Sequence, residues 1–190
     1  MKLNLEDLQF DIKHATIEAA IRKGVLFWEV NLTAQEKDLN DEIWEPMIYN
    51  ESLQIPVYHW MNLAGQAVSW NTALDPKTGQ ANGAFYVFEH RNISRSTLRF
   101  LNRQGQTFGL EWGGLCDVHW DDEYGENVPF HAEAMAVFTQ VRVGGNASDT
   151  NETRRARLAR CLDPDDFIQQ PIQTNKDGVG LTYCVFEPKS

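Results

Sequence analysis

Residues 96–112 read STLRFLNRQGQTFGLEW, and how this stretch pairs decides the fold. Arg103-Gln104-Gly105 has the composition of a three-residue hairpin loop, with Gly105 at the left-handed position of a G1 bulge. In that register Phe100 faces Phe108, Leu98 faces Leu110 and Ser96 faces Trp112, all on one side. A helix over 94–104 competes, because Gly105 would also serve as the residue after a helix C-cap. The hairpin is preferred, since turn chemistry and side-chain facing both agree with it.

The same period of two extends outward from this hairpin. Leu8, Phe10 and Ile12 share one parity, and Ile17, Ala19 and Ile21 another. After the turn Arg22-Lys23-Gly24, the run VLFWEVNL puts Leu26, Trp28, Val30 and Leu32 on one face. A polar connection over 33–52 is expected to carry a short helix around Asp38–Trp44. Further apolar segments lie at 53–61, 83–89, 115–120, 133–143 and 180–186, and 75–83 reads as a turn-rich loop. A helix is expected over about 150–162, with Asp149 as N-cap, Glu152 at N3 and Leu158 and Leu162 on its buried side. Asp163-Pro164 ends it, because the residue before proline avoids the α region. Residues 164–179 read as loop, and LTYCVFEP as a final strand.

The expected fold is therefore mainly β. It is one domain over 1–190, an antiparallel β-sandwich or barrel of about ten short strands with one helix packed on it. At 42% hydrophobic and 23% charged residues, the chain has the means to bury a core rather than stay disordered.

A net charge of −10 excludes nucleic acid as a general partner, since phosphate binding rests on Lys and Arg. The charge is uneven: 11 acids against 5 bases over 1–60, 12 against 7 over 121–190, but 4 against 5 in between. Three widely spaced cysteines, Cys116, Cys161 and Cys184, do not form a disulfide framework and suit a reducing compartment. The opening MKLNLEDLQFDIKH lacks the apolar core of a signal peptide, and no stretch matches a membrane span, so a cytoplasmic protein without membrane attachment is expected. Five Asn-x-Ser/Thr sequons are read as chance in that setting.

Three constellations could carry chemistry. In LCDVHWDDEYGENVPFHAEA, strand parity puts Asp117, His119 and Asp121 on one face, and a hairpin over 122–130 would bring His131 and Glu133 against them. Two imidazoles and three carboxylates of this kind could bind Zn²⁺ or non-haem Fe²⁺, or act as general acid and base. The plainer reading is the solvated face of a half-buried sheet, with no cofactor at all. Arg91, Arg95, Arg99 and Arg103 recur every four residues, which keeps them on one face of a strand or helix. They are a candidate ligand-binding row for an acidic group; otherwise they pair with neighbouring acids. The third is Arg154, Arg155, Arg157 and Arg160 on the helix, read as its outward polar face.

Among the aromatics, Trp44, Tyr49, Tyr58, Trp60 and Trp70 lie in less regular segments, where exposure would mark an interface. No G-x-G-x-x-G, G-x-x-x-x-G-K-[ST], H-E-x-x-H or G-x-S-x-G occurs. The sequence thus favours a non-enzymatic protein-binding module of the inhibitor, immunity or accessory kind. The alternative is a metal-dependent enzyme or small-molecule binder at 117–133.

Overall fold

The computed structural model of the chain describes residues 1–39, 41–76, 79–118, 125–174 and 181–189. Strand β1 (Lys2–Leu5) turns back into the long β2 (Leu8–Arg22), and β3 (Val25–Ala34) follows through a two-residue turn. Lys23 and Gly24 have φ of 52° and 80°, the double left-handed conformation that a type I′ hairpin requires. β4 (Lys37–Leu39) and β5 (Glu42–Trp44) pair only with each other, and β6 (Met47–Leu53) rejoins the main sheet. The chain continues through β7 (Ala67–Trp70), β8 (Ala84–Tyr86), β9 (His90–Gln104), β10 (Thr107–Cys116) and the 19-residue β11 (Val128–Asn146). It ends with helix α1 (Asn151–Leu158), β12 (Phe167–Gln169), β13 (Gln173–Thr174) and β14 (Leu181–Pro188).

β2, β3, β6, β8, β9, β10 and β11 are neighbours in that order, and β11 returns to β2 to close a barrel. The closure is split. β1 lies antiparallel between the first halves of β2 and β11. Beyond Lys2, where β1 begins, the two strands pair directly and in parallel, Thr16 opposite Val137 through to Ile21 opposite Val143. Where β10 leaves the other edge of β11, β14 takes its place. Of the described residues, no helix is long and apolar enough to cross a membrane.

The barrel is filled, not hollow. Trp28, Trp112, Phe100, Phe108 and Phe138 are buried inside it. Trp60, on a 3-10 turn at Trp60–Leu63, enters one end with its ring 5.2 Å from Phe138 and 6.0 Å from Phe108. Buried indole N–H groups need acceptors. Trp28 Nε1 donates to the carbonyl of Ile55 at 3.2 Å, and Trp112 Nε1 to Ser96 Oγ at 3.0 Å.

The hairpin at 96–112 exists, with Leu98, Phe100, Phe108, Leu110 and Trp112 inside, but the loop is two residues long and the register differs. Gln104 sits opposite Thr107, and Gly105 (φ 57°) makes the turn. A bulge at Leu101–Asn102 opposite Gly109 then sets Phe100 against Leu110 and Leu98 against Trp112. Residues 37–44 are a hairpin and not the expected helix. Its turn holds Asp41 in the left-handed region at φ 65°. The expected loop at 164–179 contains the short strands β12 and β13, which flank β14.

Helix α1 is shorter than expected and is capped by Thr150, whose hydroxyl accepts from the Thr153 N–H. Asp149 is released for another task, and the reading of all four helix arginines as an outward face needs correction. Arg154 is fully buried. Its guanidinium donates to the carbonyls of Val143 (3.0 Å), Asn146 (2.9 Å) and Thr182 (3.2 Å) and to the Thr182 hydroxyl, and lies 3.2 Å from Asp149. Arg157 reaches the same carboxylate at 2.6 Å. Gly145 makes room for this group, because a Cβ there would overlap Asp149 and both guanidinium groups. The bond from Arg157, helped by the Asn146 N–H and by Arg154, holds the Asp149 carboxyl below its ordinary range.

Replacing Arg154 by Leu strips four buried acceptors and leaves Asp149 half-compensated, so a loss of about 3–5 kcal/mol in denaturant unfolding is expected. Because the Asp149 pKa is lowered by folding, its stabilising effect is whole above the unfolded value of about 3.9 and fades as pH falls through the folded one. Asp149→Asn should therefore flatten the acid limb of the stability–pH curve.

Candidate functional site

The β4–β5 hairpin pairs with no strand of the barrel and presents a face that the core does not use. Its base is fixed by backbone bonds, Ala34 N–H to the Pro46 carbonyl (2.8 Å) and Gln35 N–H to that of Asp11 (2.7 Å). Lys37 is opposite Trp44, and Asp38 opposite Ile43. Paired residues of an antiparallel ladder share a face. Lys37 and Trp44 face the barrel: the ammonium lies over the Phe10 ring and bonds the Gln9 carbonyl, while the indole packs edge-on to Phe88 and Tyr86.

Asp38 and Ile43 face away, with Glu36 and Glu45 at the same parity. Ile43 is 73% exposed, the most exposed of the large hydrophobic residues described. Residues 36–45 hold five acids and one base. Glu45 pairs with Lys13; for Glu36, Asp38, Asp41 and Glu42 no ion-pair partner stands among the described residues. The outer face of the hairpin thus sets one apolar side chain, Ile43, beside the uncompensated carboxylates of Glu36 and Asp38, with Asp41 at the turn. Such a surface is complementary to a basic rim around an apolar pocket.

The His/carboxylate patch expected at 117–133 is only partly described. His119 and Asp121 lie outside the described residues. The hairpin that was to join the patch exists, but its ladder begins at Cys116 opposite Val128. His131 is therefore opposite Gly113 and Glu133 opposite Glu111. Asp117 instead accepts from the Asn127 N–H at 2.9 Å, four residues before His131 and so about 13 Å along the strand. His131 bonds its neighbour Glu133 at 3.2 Å.

The arginine row does not survive as a row. Arg95 sits in a bulge with φ 44°, and Leu101–Asn102 form a second, so the four side chains change face twice. Arg91 pairs with Glu89, and Arg99 with Glu111 at 3.1 Å. Arg103 bonds the Gly105 carbonyl and covers the Trp60 ring at 5.2 Å. Arg95 alone has no partner among the described residues.

Of the five flagged aromatics, Trp60 is buried, Tyr58 is 51% exposed and the other three are half-buried. No thiol is activated. Burial, with Asp117 beside it, pushes Cys116 up to about 12, and burial raises Cys161 and Cys184 as well. Thiolates, not thiols, are the nucleophiles. The hairpin was missed because Leu39 and Ile43 stand four apart, a helical spacing, although Asn40-Asp41 is a turn signal in its own right.

With two arginines already paired and one stacked, the double variant Arg95→Ala/Arg99→Ala should shift stability by no more than roughly half a kcal/mol per site. Thermal unfolding with and without citrate or phosphate should show no anion-dependent gain in wild type that the variant loses. No protein-family model, no curated protein and no solved structure matches the chain.

Proposed function

We propose that the chain is a non-enzymatic protein-binding module, acting in the cytoplasm, that grips a basic partner with the outer face of the β4–β5 hairpin. The observation that carries this reading is Ile43, exposed beside Glu36 and Asp38 with Asp41 at the turn, on a hairpin anchored through Lys37 and Trp44. The acids speed encounter with a basic surface and select against acidic ones. The isoleucine supplies the desolvated anchor that charges alone do not. The charge of −10 speaks for a protein partner over nucleic acid or an anionic membrane. The three free cysteines fit a reducing compartment. Inhibitory, immunity-type and accessory proteins share this physical character, and the analogy goes no further than that.

Affinity capture from native lysate tests the reading when wild type is compared with two variants. Glu36→Lys/Asp38→Lys should slow association by roughly tenfold or more at low salt, with the difference closing as salt rises. Ile43→Asp should leave association nearly unchanged and weaken the complex by about 2 kcal/mol through faster dissociation. Capture of no stoichiometric partner, together with turnover in a substrate screen, would overturn the module reading. Equal capture by all three proteins would remove the hairpin from it.

A further inference from the structure

At the barrel end that Trp60 plugs, two segments far apart in sequence aim three metal-type donors at one point. Nδ1 of His59 lies 3.0 Å from Oδ2 of Asp166 and 3.8 Å from Oδ2 of Asp163. Among the described residues, these are the only three His, Cys, Asp or Glu side chains whose ligand atoms all fall within 4.8 Å of one another. All three are half-buried.

The backbone fixes each donor. Asp163 caps and Asp166 ends the 3-10 turn Pro164–Asp166, where Asp163 Oδ1 accepts from the Asp165 N–H at 2.9 Å and leaves Oδ2 for His59. The Asp163 N–H donates to the Tyr58 carbonyl at 2.9 Å, which ties this turn to the segment carrying His59. The Asn62 N–H donates to the His59 carbonyl at 2.9 Å, and the Lys189 N–H to that of Asp166 at 2.8 Å. The donors therefore sit on braced main chain, not on free loops.

A plain ion pair does not account for the arrangement. One Nδ1–H can serve one carboxylate, and 3.8 Å to the second exceeds a hydrogen bond. Among the described residues no Lys or Arg pairs with Asp163 or Asp166; the nearby Arg155 is spent on Asp165 at 2.6 Å. Two half-buried carboxylates thus converge on a single ring nitrogen without a cationic side chain between them. Like charges so placed favour a bound cation. One imidazole and two carboxylates are the donors of zinc-class ions, whose metal–ligand bonds of about 2.0–2.2 Å put neighbouring donors roughly 3.0–3.5 Å apart.

We infer that His59, Asp163 and Asp166 bind one divalent transition-metal ion of the zinc class. Three protein ligands leave a further position open to solvent, the pattern of sites that accept a water or an added ligand. Tyr58, whose ring lies edge-on to His59 at 5.2 Å, also lines a groove of about 510 Å³ together with Leu26, Gln54, Ile55, Pro56, Val57 and Cys161. The ion also staples the segment before Trp60 to the chain beyond α1. The site does not depend on the hairpin or on its partner.

The test uses the full chain freed of metal by chelation. Isothermal titration with Zn²⁺ should give one equivalent bound, Co²⁺ should give visible d–d bands, and Zn²⁺ should raise the melting temperature. His59→Ala and Asp166→Asn should each weaken Zn²⁺ by more than roughly a hundredfold, since even the outer partners of metal ligands are worth 10- to 100-fold. Without metal both variants lose or weaken the His59–Asp166 hydrogen bond, so the discriminating readout is the Zn²⁺-dependent rise in melting temperature, which wild type should show and both variants should lack. A readout free of variants guards against misfolding: substoichiometric Mn²⁺ should broaden the His59 ring resonances before those of the other histidines. No binding at millimolar Zn²⁺ would overturn the inference. So would binding that both variants keep, or broadening that spares His59.

Discussion

Strand β11 is hydrogen-bonded along both edges to four different strands, and the barrel exists only because those four pairings are compatible. One edge carries β10 and then β14, the other β1 and then β2. A strand with both edges used in this way must bury one face from end to end. β11 does so with Phe130, Ala132, Ala134, Ala136, Phe138, Val141 and Val143. The parity changes between Phe138 and Val141, where the pairing with β2 skips a residue, so the bulge lies where the closure is parallel. The alanines matter as much as the aromatics. They leave the volume into which Trp28, Trp60 and Trp112 project.

The far end of β11 raises a different problem, since the strand must stop and its last carbonyls must still be bonded. Arg154 solves it from the helix. Its planar group collects the carbonyls of Val143 and Asn146 together with that of Thr182 on β14, and Asp149 neutralises it. A lysine could not do this, having no flat fork to spread over several acceptors. The helix is thereby held to the sheet by a polar group as well as by Leu158, and the turn that carries Asp163 and Asp166 starts from a fixed place.

What could be read from the residues was whatever depends on neighbours two apart. The faces of 17–21 and 26–32, the turn at Lys23-Gly24 and the last strand all follow from alternation and turn chemistry. Bulges are a different matter. Arg95 takes a left-handed φ of 44° because the curved sheet demands an extra residue there, and nothing in Ser94-Arg95-Ser96 announces it. Each such insertion changes the face of everything after it, which is why a four-residue spacing of arginines did not make a row. Arg154 was taken for surface because charge on a helix normally is; it is buried because the end of β11 and the start of β14 turn their carbonyls toward it. His59 is 107 residues from Asp166, so no local spacing could have joined them.

The split closure sets the order in which this chain can fold. β2–β3 and β9–β10 are linked by two-residue turns and need little loop entropy to form. The seam between β2 and β11 joins partners such as Glu18 and Thr139, 121 positions apart, and is in place only when nearly everything between is ordered. Proteins dominated by such distant pairings cross their barrier slowly, in milliseconds to seconds. Until the seam forms, β2 and β11 each expose an edge and an apolar face, the condition in which β chains find one another in place of themselves. β1, continuous with β2 through two residues, covers the lower half of that edge early and leaves only the parallel half waiting.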